Sequence, residues 1–198
     1  MLNSKAPALL LTVILGGHCA PGMAEAMPNH DPELRVALLG AVSTAESFPD
    51  RFDAEVWLMD MQSRLDGMKW IKLKNQRERL EFLRLVHHEA SRAGISPEMV
   101  LAVIQVESAF DRFAVSRVGA RGYMQIMPFW KNEIGRSDDN LMHTPTNLRY
   151  GCTILRHYLD KENGNWIRAL ARYNGSLGRT VYPEKVMSAW EKYWFVNY

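Results

Sequence analysis

Through most of the chain, apolar residues recur at the three- and four-residue steps of helix faces. Asp31-Pro32-Glu33 reads as a helix start, with a capping residue, a proline in the first turn and an acid beside it, and a helix follows from Leu34 to Val42. Ser47-Phe48-Pro49-Asp50 breaks it. A second amphipathic stretch runs from Phe52 to Leu65, carries Val56, Trp57, Met59 and Leu65, and ends near Gly67. Gln76 to Ala93 is a third, with Leu80, Leu83, Leu85 and Val86 on its apolar side and Gly94 as its C-terminal cap. Ser96-Pro97-Glu98 then restarts the chain as a helix. From Asp111 to Pro128 the glycines 119 and 122 and Pro128 punctuate the pattern, which predicts a loop with short extended pieces. Helix returns after Asn147 in LRYGCTILRHYLD and again in NWIRALARYN, which Asn174-Gly175 terminates; a last helix begins near Pro183.

Two of these faces end in a functional group. Val100, Val103 and Ile104 are followed on the same face by Glu107, and Trp166, Ala169 and Leu170 by Tyr173. A carboxyl group among apolar neighbours has its charged form disfavoured, which raises its pKa toward the range a general acid needs near neutrality. Periodicity alone does not decide the matter. A glutamate near a helix end often swings out to solvent, and a tyrosine closing an apolar stripe is usually core with its hydroxyl satisfied locally.

Composition narrows the class. The chain has 198 residues, 47% of them hydrophobic, enough for one well-buried domain or a domain with a small extension. Its beginning, MLNSKAPALLLTVILGGHCAPGMAEA, combines Lys5, an apolar run and the small-x-small site Ala24-Glu25-Ala26, so residues 1–26 read as a secretory signal cut after Ala26. The rival reading, lipidation at Cys19, is disfavoured because His18 stands where such signals carry a small residue. No later run approaches the roughly 20 apolar residues of a membrane span. An exported or periplasmic protein is expected. Removing Lys5 with Glu25 leaves the net charge at +2, which suits work near an anionic polymer and falls short of a nucleic-acid binder. Without Cys19, Cys152 has no intramolecular partner and is expected to fill a small buried position. His87 and His88 are adjacent on a helix and point about 100° apart, so they make no paired ligand face; no metal and no cofactor are expected. Arg168, Arg172 and Arg179 read as a solvated face from which one or two side chains reach acidic groups of a substrate.

Several separated elements then occur in order: Glu107-Ser108, Ala114-Val115-Ser116, Gly119-Ala120-Arg121-Gly122-Tyr123-Met124-Gln125-Ile126-Met127-Pro128, Asn147, and Ala169-Leu170-Ala171-Arg172-Tyr173-Asn174-Gly175. Together, over about Leu80 to Tyr182, they resemble the soluble lytic transglycosylases, lysozyme-like enzymes of bacterial cell-wall turnover. The resemblance implies that Glu107 is the single catalytic acid, that Gln125 contacts an N-acetylated sugar, that Tyr173 lies near the carboxyl, and that Ser108, Ser116, Met127 and Asn174 support the cleft. The commoner family form has leucine where Tyr123 stands and alanine-glycine where this chain has Gly175-Ser176.

The fold so implied is mainly α: a lysozyme-like helical domain of the goose-type and SLT kind, with a loop or short β element beside the active-site cleft and N-terminal helices packed on it. The division expected is a signal at 1–26, a helical extension at 27–79 and a catalytic domain at 80–198. The implied reaction cleaves peptidoglycan glycan strands between N-acetylmuramic acid and N-acetylglucosamine with a 1,6-anhydro product, and a monomer is expected. A goose-type-lysozyme-like hydrolase and a catalytically inactive wall-binding protein remain as alternatives. Partners in cell-wall or secretion machinery are left open.

Overall fold

The computed structural model describes residues 51–73 and 75–197. The signal segment, Cys19 and the helix expected from Leu34 to Val42 lie outside the described residues. Helix α1 spans Arg51–Asp66, α2 Gln76–Ala93, α3 Pro97–Ser108, α4 Trp130–Ile134, α5 Thr144–Lys161, α6 Trp166–Tyr173 and α7 Val181–Ala189, which runs on into a π turn, Trp190–Trp194.

The helix ends follow from local chemistry. Asn75 caps α2 by accepting the Glu78 N–H at 2.8 Å, and Gly94 closes it at φ 66°, with its N–H turned back on the last carbonyls. Ser96 caps α3 by accepting the Met99 N–H, with Pro97 in the first turn. One helix begins earlier than the sequence suggested, α5 at Thr144 with Pro145 next, while α7 begins at Val181, near Pro183 as expected. A proline is tolerated in a first turn, where its missing N–H has no helical partner anyway, so it marks a start less sharply than its own position. The π turn and the short α4 have no counterpart in the periodicity.

Helix α3 is the centre of the packing. Met99 through Ile104 are buried on every side, as expected of a helix enclosed by neighbours. It packs against α2, α7 and the π turn, while α5 packs on α2 and α6. Immediately after α3, Ala109 and Phe110 both take left-handed backbone conformations, φ 49° and 60°. Such conformations cost roughly 1–2 kcal/mol per non-glycine residue. The turn aims the Phe110 ring into the core against Phe82 and Trp194, with centroids 5.9 and 5.8 Å away, and that burial offsets the strain.

Beyond it lies the extended element expected beside the cleft. Among the described residues it consists of isolated antiparallel bridges, Val115 with Arg121 and Arg121 with Ile126. The buried side chain of Asn147 on α5 holds this loop: it accepts the Met124 N–H at 2.8 Å and donates to the carbonyls of Arg121 and Leu141 at 2.9 and 2.8 Å. Gly122, at φ 74°, leaves the room this needs, since a Cβ there would stand 2.5 Å from Asn147 Nδ2.

The N-terminal helix α1 packs on α2 and the π turn. Its buried face is Ala54, Trp57, Leu58, Met61 and Leu65; Val56 and Met59, counted with the apolar side in the sequence, are exposed. The i, i+4, i+7, i+11 row from Ala54 defines the face, and Val56 and Met59 sit off it. Trp57 Nε1 donates to Glu98 at 2.7 Å, and the Arg64 guanidinium donates to the Tyr193 carbonyl at 2.7 Å, tying α1 to both ends of the core. Cys152 is fully buried, as its small size suggested.

Candidate active site

Glu107 lies in the last turn of α3, where the helix core gives way to a groove of about 500 Å³. Asn174, Ser176, Arg179, Tyr182 and Lys185 line the groove with it, and Val106 and Val181 supply apolar wall. The Tyr182 hydroxyl donates to Glu107 Oε1 at 2.6 Å. Burial pushes the Glu107 carboxyl from its ordinary 4.5 up to about 7, against the Tyr182 hydrogen bond, which favours the charged form. A carboxyl held close to neutrality can give up a proton and take one back at similar cost, which suits a single residue acting as acid and then base. Among the described residues Glu107 is the only carboxylate lining the groove.

The phenols are held as donors. Burial raises Tyr173 and Tyr182 well above 10, and the negative charge of Glu107 raises both further. The Tyr173 hydroxyl donates to the Met124 carbonyl at 2.8 Å, so Tyr173 joins the end of α6 to the extended loop, and the direct hydrogen bond to Glu107 comes from Tyr182.

The other expected residues are placed as follows. Gln125, itself at φ 48°, donates its amide to the carbonyls of Ala114 and Gly122 at 3.2 and 3.0 Å, closing the loop on itself. Ser116 Oγ accepts the Ala120 N–H at 3.0 Å inside the same loop. The Ser108 hydroxyl donates to the Ile104 carbonyl at 3.2 Å within α3. Met127 is partly buried, and its carbonyl accepts the Trp130 N–H at the start of α4. Asn174 follows α6 as its C-cap. Of the expected set, Glu107 and Asn174 line one groove, while the described hydrogen bonds of Ser116, Gln125 and Tyr173 hold the extended loop and that of Ser108 stays within α3.

Asp111, four residues after Glu107, pairs with Lys72 and accepts the Phe113 N–H at 2.9 Å. The Lys72 hydrogen bond holds it below the usual carboxylate range, so it is engaged outside the groove. Tyr123, the departure from the commoner leucine, packs its ring 4.8 Å from Phe82 and faces a different pocket shared with Leu73. The three arginines read as a solvated face divide: Arg168 and Arg172 both pair with the buried carboxylate of Glu162, and Arg179 lines the groove.

Tyr182, Arg179 and Lys185 were not singled out as site residues by the periodicity. Tyr182 meets Glu107 across 75 positions of sequence, from the first turn of a helix whose faces carry no unusual pattern. The available signal was a tyrosine beside the proline that marks a helix start. His87 lies under Trp57, where burial lowers it to about 4, and among the described residues no three His, Cys, Asp or Glu side chains converge as metal ligands.

A helical core with a largely buried carboxyl in a surface groove, and a small extended element beside it, is the arrangement expected of the lysozyme-like family that the sequence resembles. The family model for the transglycosylase SLT domain matches residues 84–192, more than half of the chain, and the chain belongs to that family. A soluble lytic murein transglycosylase of Salmonella typhimurium is 29% identical over 136 residues, 65% of this chain and 21% of that protein. A membrane-bound lytic murein transglycosylase C of Actinobacillus pleuropneumoniae is 46% identical over 48 residues, 24% of this chain and 13% of that one. The chain thus spans about one-fifth or less of the length of these relatives. Among solved structures, an inactive mutant of the lytic transglycosylase Slt of Pseudomonas aeruginosa superposes with a TM-score of 0.47 and 23% identity, covering 79% of this chain and 28% of that one.

Proposed function

We infer that the protein is an exported peptidoglycan lytic transglycosylase, with Glu107 as its single acid and then base. The observation that carries this reading is the Glu107 carboxyl itself: burial holds it near 7, Tyr182 is bonded to it, and among the described residues no second carboxylate lines the groove. Glycoside cleavage ordinarily recruits two carboxylates. A site with one favours a route in which the substrate supplies the second group.

In that route the protonated Glu107 gives its proton to the oxygen joining N-acetylmuramic acid to N-acetylglucosamine. The bond from that oxygen to C1 of the muramoyl ring breaks, and the muramoyl N-acetyl oxygen stabilises the cationic carbon. Glu107, now a carboxylate, takes the proton of the C6 hydroxyl as O6 bonds to C1. The products are a free N-acetylglucosamine end and a 1,6-anhydromuramoyl end, no water is consumed, and Glu107 is returned protonated. Tyr182 steadies the carboxylate between the two proton transfers, since its hydrogen bond favours the charged form. Gln125, Ser116 and Met127 meet the sugar from the loop side, and Asn174 from the end of α6. Of the extension at 27–79, the described helix α1 packs on the catalytic domain, 80–198, and supports it.

The experiment is digestion of purified peptidoglycan by the protein, with the ends of the soluble products identified. Anhydromuramoyl ends support the reading; reducing muramic acid ends mean that water is the acceptor and the protein is a hydrolase.

A further inference from the structure

The turn that ends α3 is held from outside the span that the family model matches. That span begins at residue 84 and contains Glu107, Ala109, Phe110 and Asp111. Residues 67–73, which follow α1, precede it and form a short strap beside the turn. The strap is pinned at both ends: Met68 and Leu73 are buried in the core, and the Arg79 guanidinium pairs with Asp66 at the end of α1 and donates to the Leu73 carbonyl at 3.1 Å. Two of its side chains reach the turn. The Trp70 ring lies 6.1 Å from that of Phe110, on which Phe82 and Trp194 also pack. Lys72 pairs with one carboxylate oxygen of Asp111, whose other oxygen accepts the Phe113 N–H and whose own N–H donates to the Ser108 carbonyl at 3.0 Å. Trp70 is 48% exposed and the Lys72 side chain 67%, so neither is part of the core itself.

Ala109 and Phe110 stand two and three residues after Glu107, and two successive non-glycine residues in left-handed conformations persist only where their surroundings hold them there. An exposed ion pair contributes little to stability by itself, so the pair of Lys72 with Asp111 matters through the turn it closes. We propose that Trp70 and Lys72 are positioning residues for Glu107: by holding Phe110 and Asp111 they keep the left-handed turn closed and fix the end of α3, and with it the carboxyl, against the groove wall. The inference rests on the function proposed above for the role of that carboxyl, and it gives a segment outside the family span a part in setting the acid. Among the described residues the ionisable groups around the acid are Tyr182 and Tyr173, with Arg179 and Lys185 along the groove. Lys72 and Asp111 do not line the groove, so the strap acts through the backbone.

The test compares the full chain with Trp70→Ala, Lys72→Ala and the conservative Trp70→Phe, with thermal melts to check that each variant folds. The first readout needs no turnover: the side-chain carboxyl carbon of Glu107 is titrated by NMR, its signal identified by its loss in Glu107→Gln. An opened turn lets water reach the carboxyl, so both alanine variants are expected to bring the midpoint down from about 7 by about one pH unit. Trp70→Phe keeps a ring on Phe110 and stays near the wild type. The protonated fraction at neutrality then drops from about one-half to about one-tenth, so kcat on a soluble glycan fragment falls about fivefold at about pH 7 and recovers at about pH 5, with KM changed less than about twofold. The sign separates this from a through-space effect: loss of the Lys72 cation by itself would raise the midpoint, and Trp70→Ala changes no charge. A midpoint unmoved in folded alanine variants, or one raised by Lys72→Ala and unmoved by Trp70→Ala, overturns the inference. Digestion by the wild type is scored separately: digestion with an unmoved midpoint removes the inference alone, and a lowered midpoint without digestion removes the proposed reaction alone.

Discussion

Glu107 shows how one residue's environment sets both chemistry and stability. As an acid it must be protonated to donate, so the rate on peptidoglycan is expected to fall as pH rises through about 7. Tyr182→Phe removes a hydrogen bond that favours the carboxylate, so this limb moves to higher pH; a pH–rate profile that stays in place means that Tyr182 does not act on the acid. The same shift enters folding. Below pH 4.5 the carboxyl is protonated in both folded and unfolded chains; between 4.5 and about 7 only the unfolded chain ionises, and stability declines with rising pH. The loss reaches about 3 kcal/mol above pH 7. Urea unfolding should therefore find Glu107→Gln more stable than the wild type at pH 8, with the gain gone at pH 4. The sequence exposed Glu107 because its place on the apolar face was wrong for a carboxylate, and it stayed silent on Tyr182 because a hydroxyl in a helix's first turn breaks no local rule.

At the scale of elements, the helices were readable and the wiring between them was not. The helix 76–93 was expected to the residue because Gly94 gives a sharp end, and the start of α3 because Ser96 and Pro97 specify one. The loop from 111 to 128 carried only its punctuation. What shapes it is Asn147, whose partners lie 23 and 26 residues away, and no periodicity records such distances. Asn147→Ala leaves the buried Met124 N–H without a partner and is expected to cost about 1–3 kcal/mol, read as a lower denaturant midpoint. Because that loop carries Gln125 and Ser116, activity at a temperature where the variant is still folded should fall as well; full activity there would mean that the loop's shape is set elsewhere.

Across the whole described molecule, α1 belongs to the core as much as α3 does. Leu58, Met61 and Leu65 are completely buried, and Trp57 and Arg64 bond to the opposite ends of the core. Leu65→Ala is accordingly expected to cost about 2–5 kcal/mol and to lower one cooperative transition; a separate early transition, with the rest unmoved, would mean that the extension folds on its own. Its buried face was only partly legible because α1 mixes apolar residues around its circumference, and contact with α2 and the π turn selects among them. The central claim is that Glu107 alone drives a cleavage in which the sugar's own hydroxyl replaces water. Mass spectrometry of the soluble fragments released from peptidoglycan, with Glu107→Gln alongside, tests it most directly. The account predicts muropeptides one water lighter than hydrolysis products, made by the wild type and not by the variant; reducing-end fragments, or the same fragments from Glu107→Gln, would contradict it.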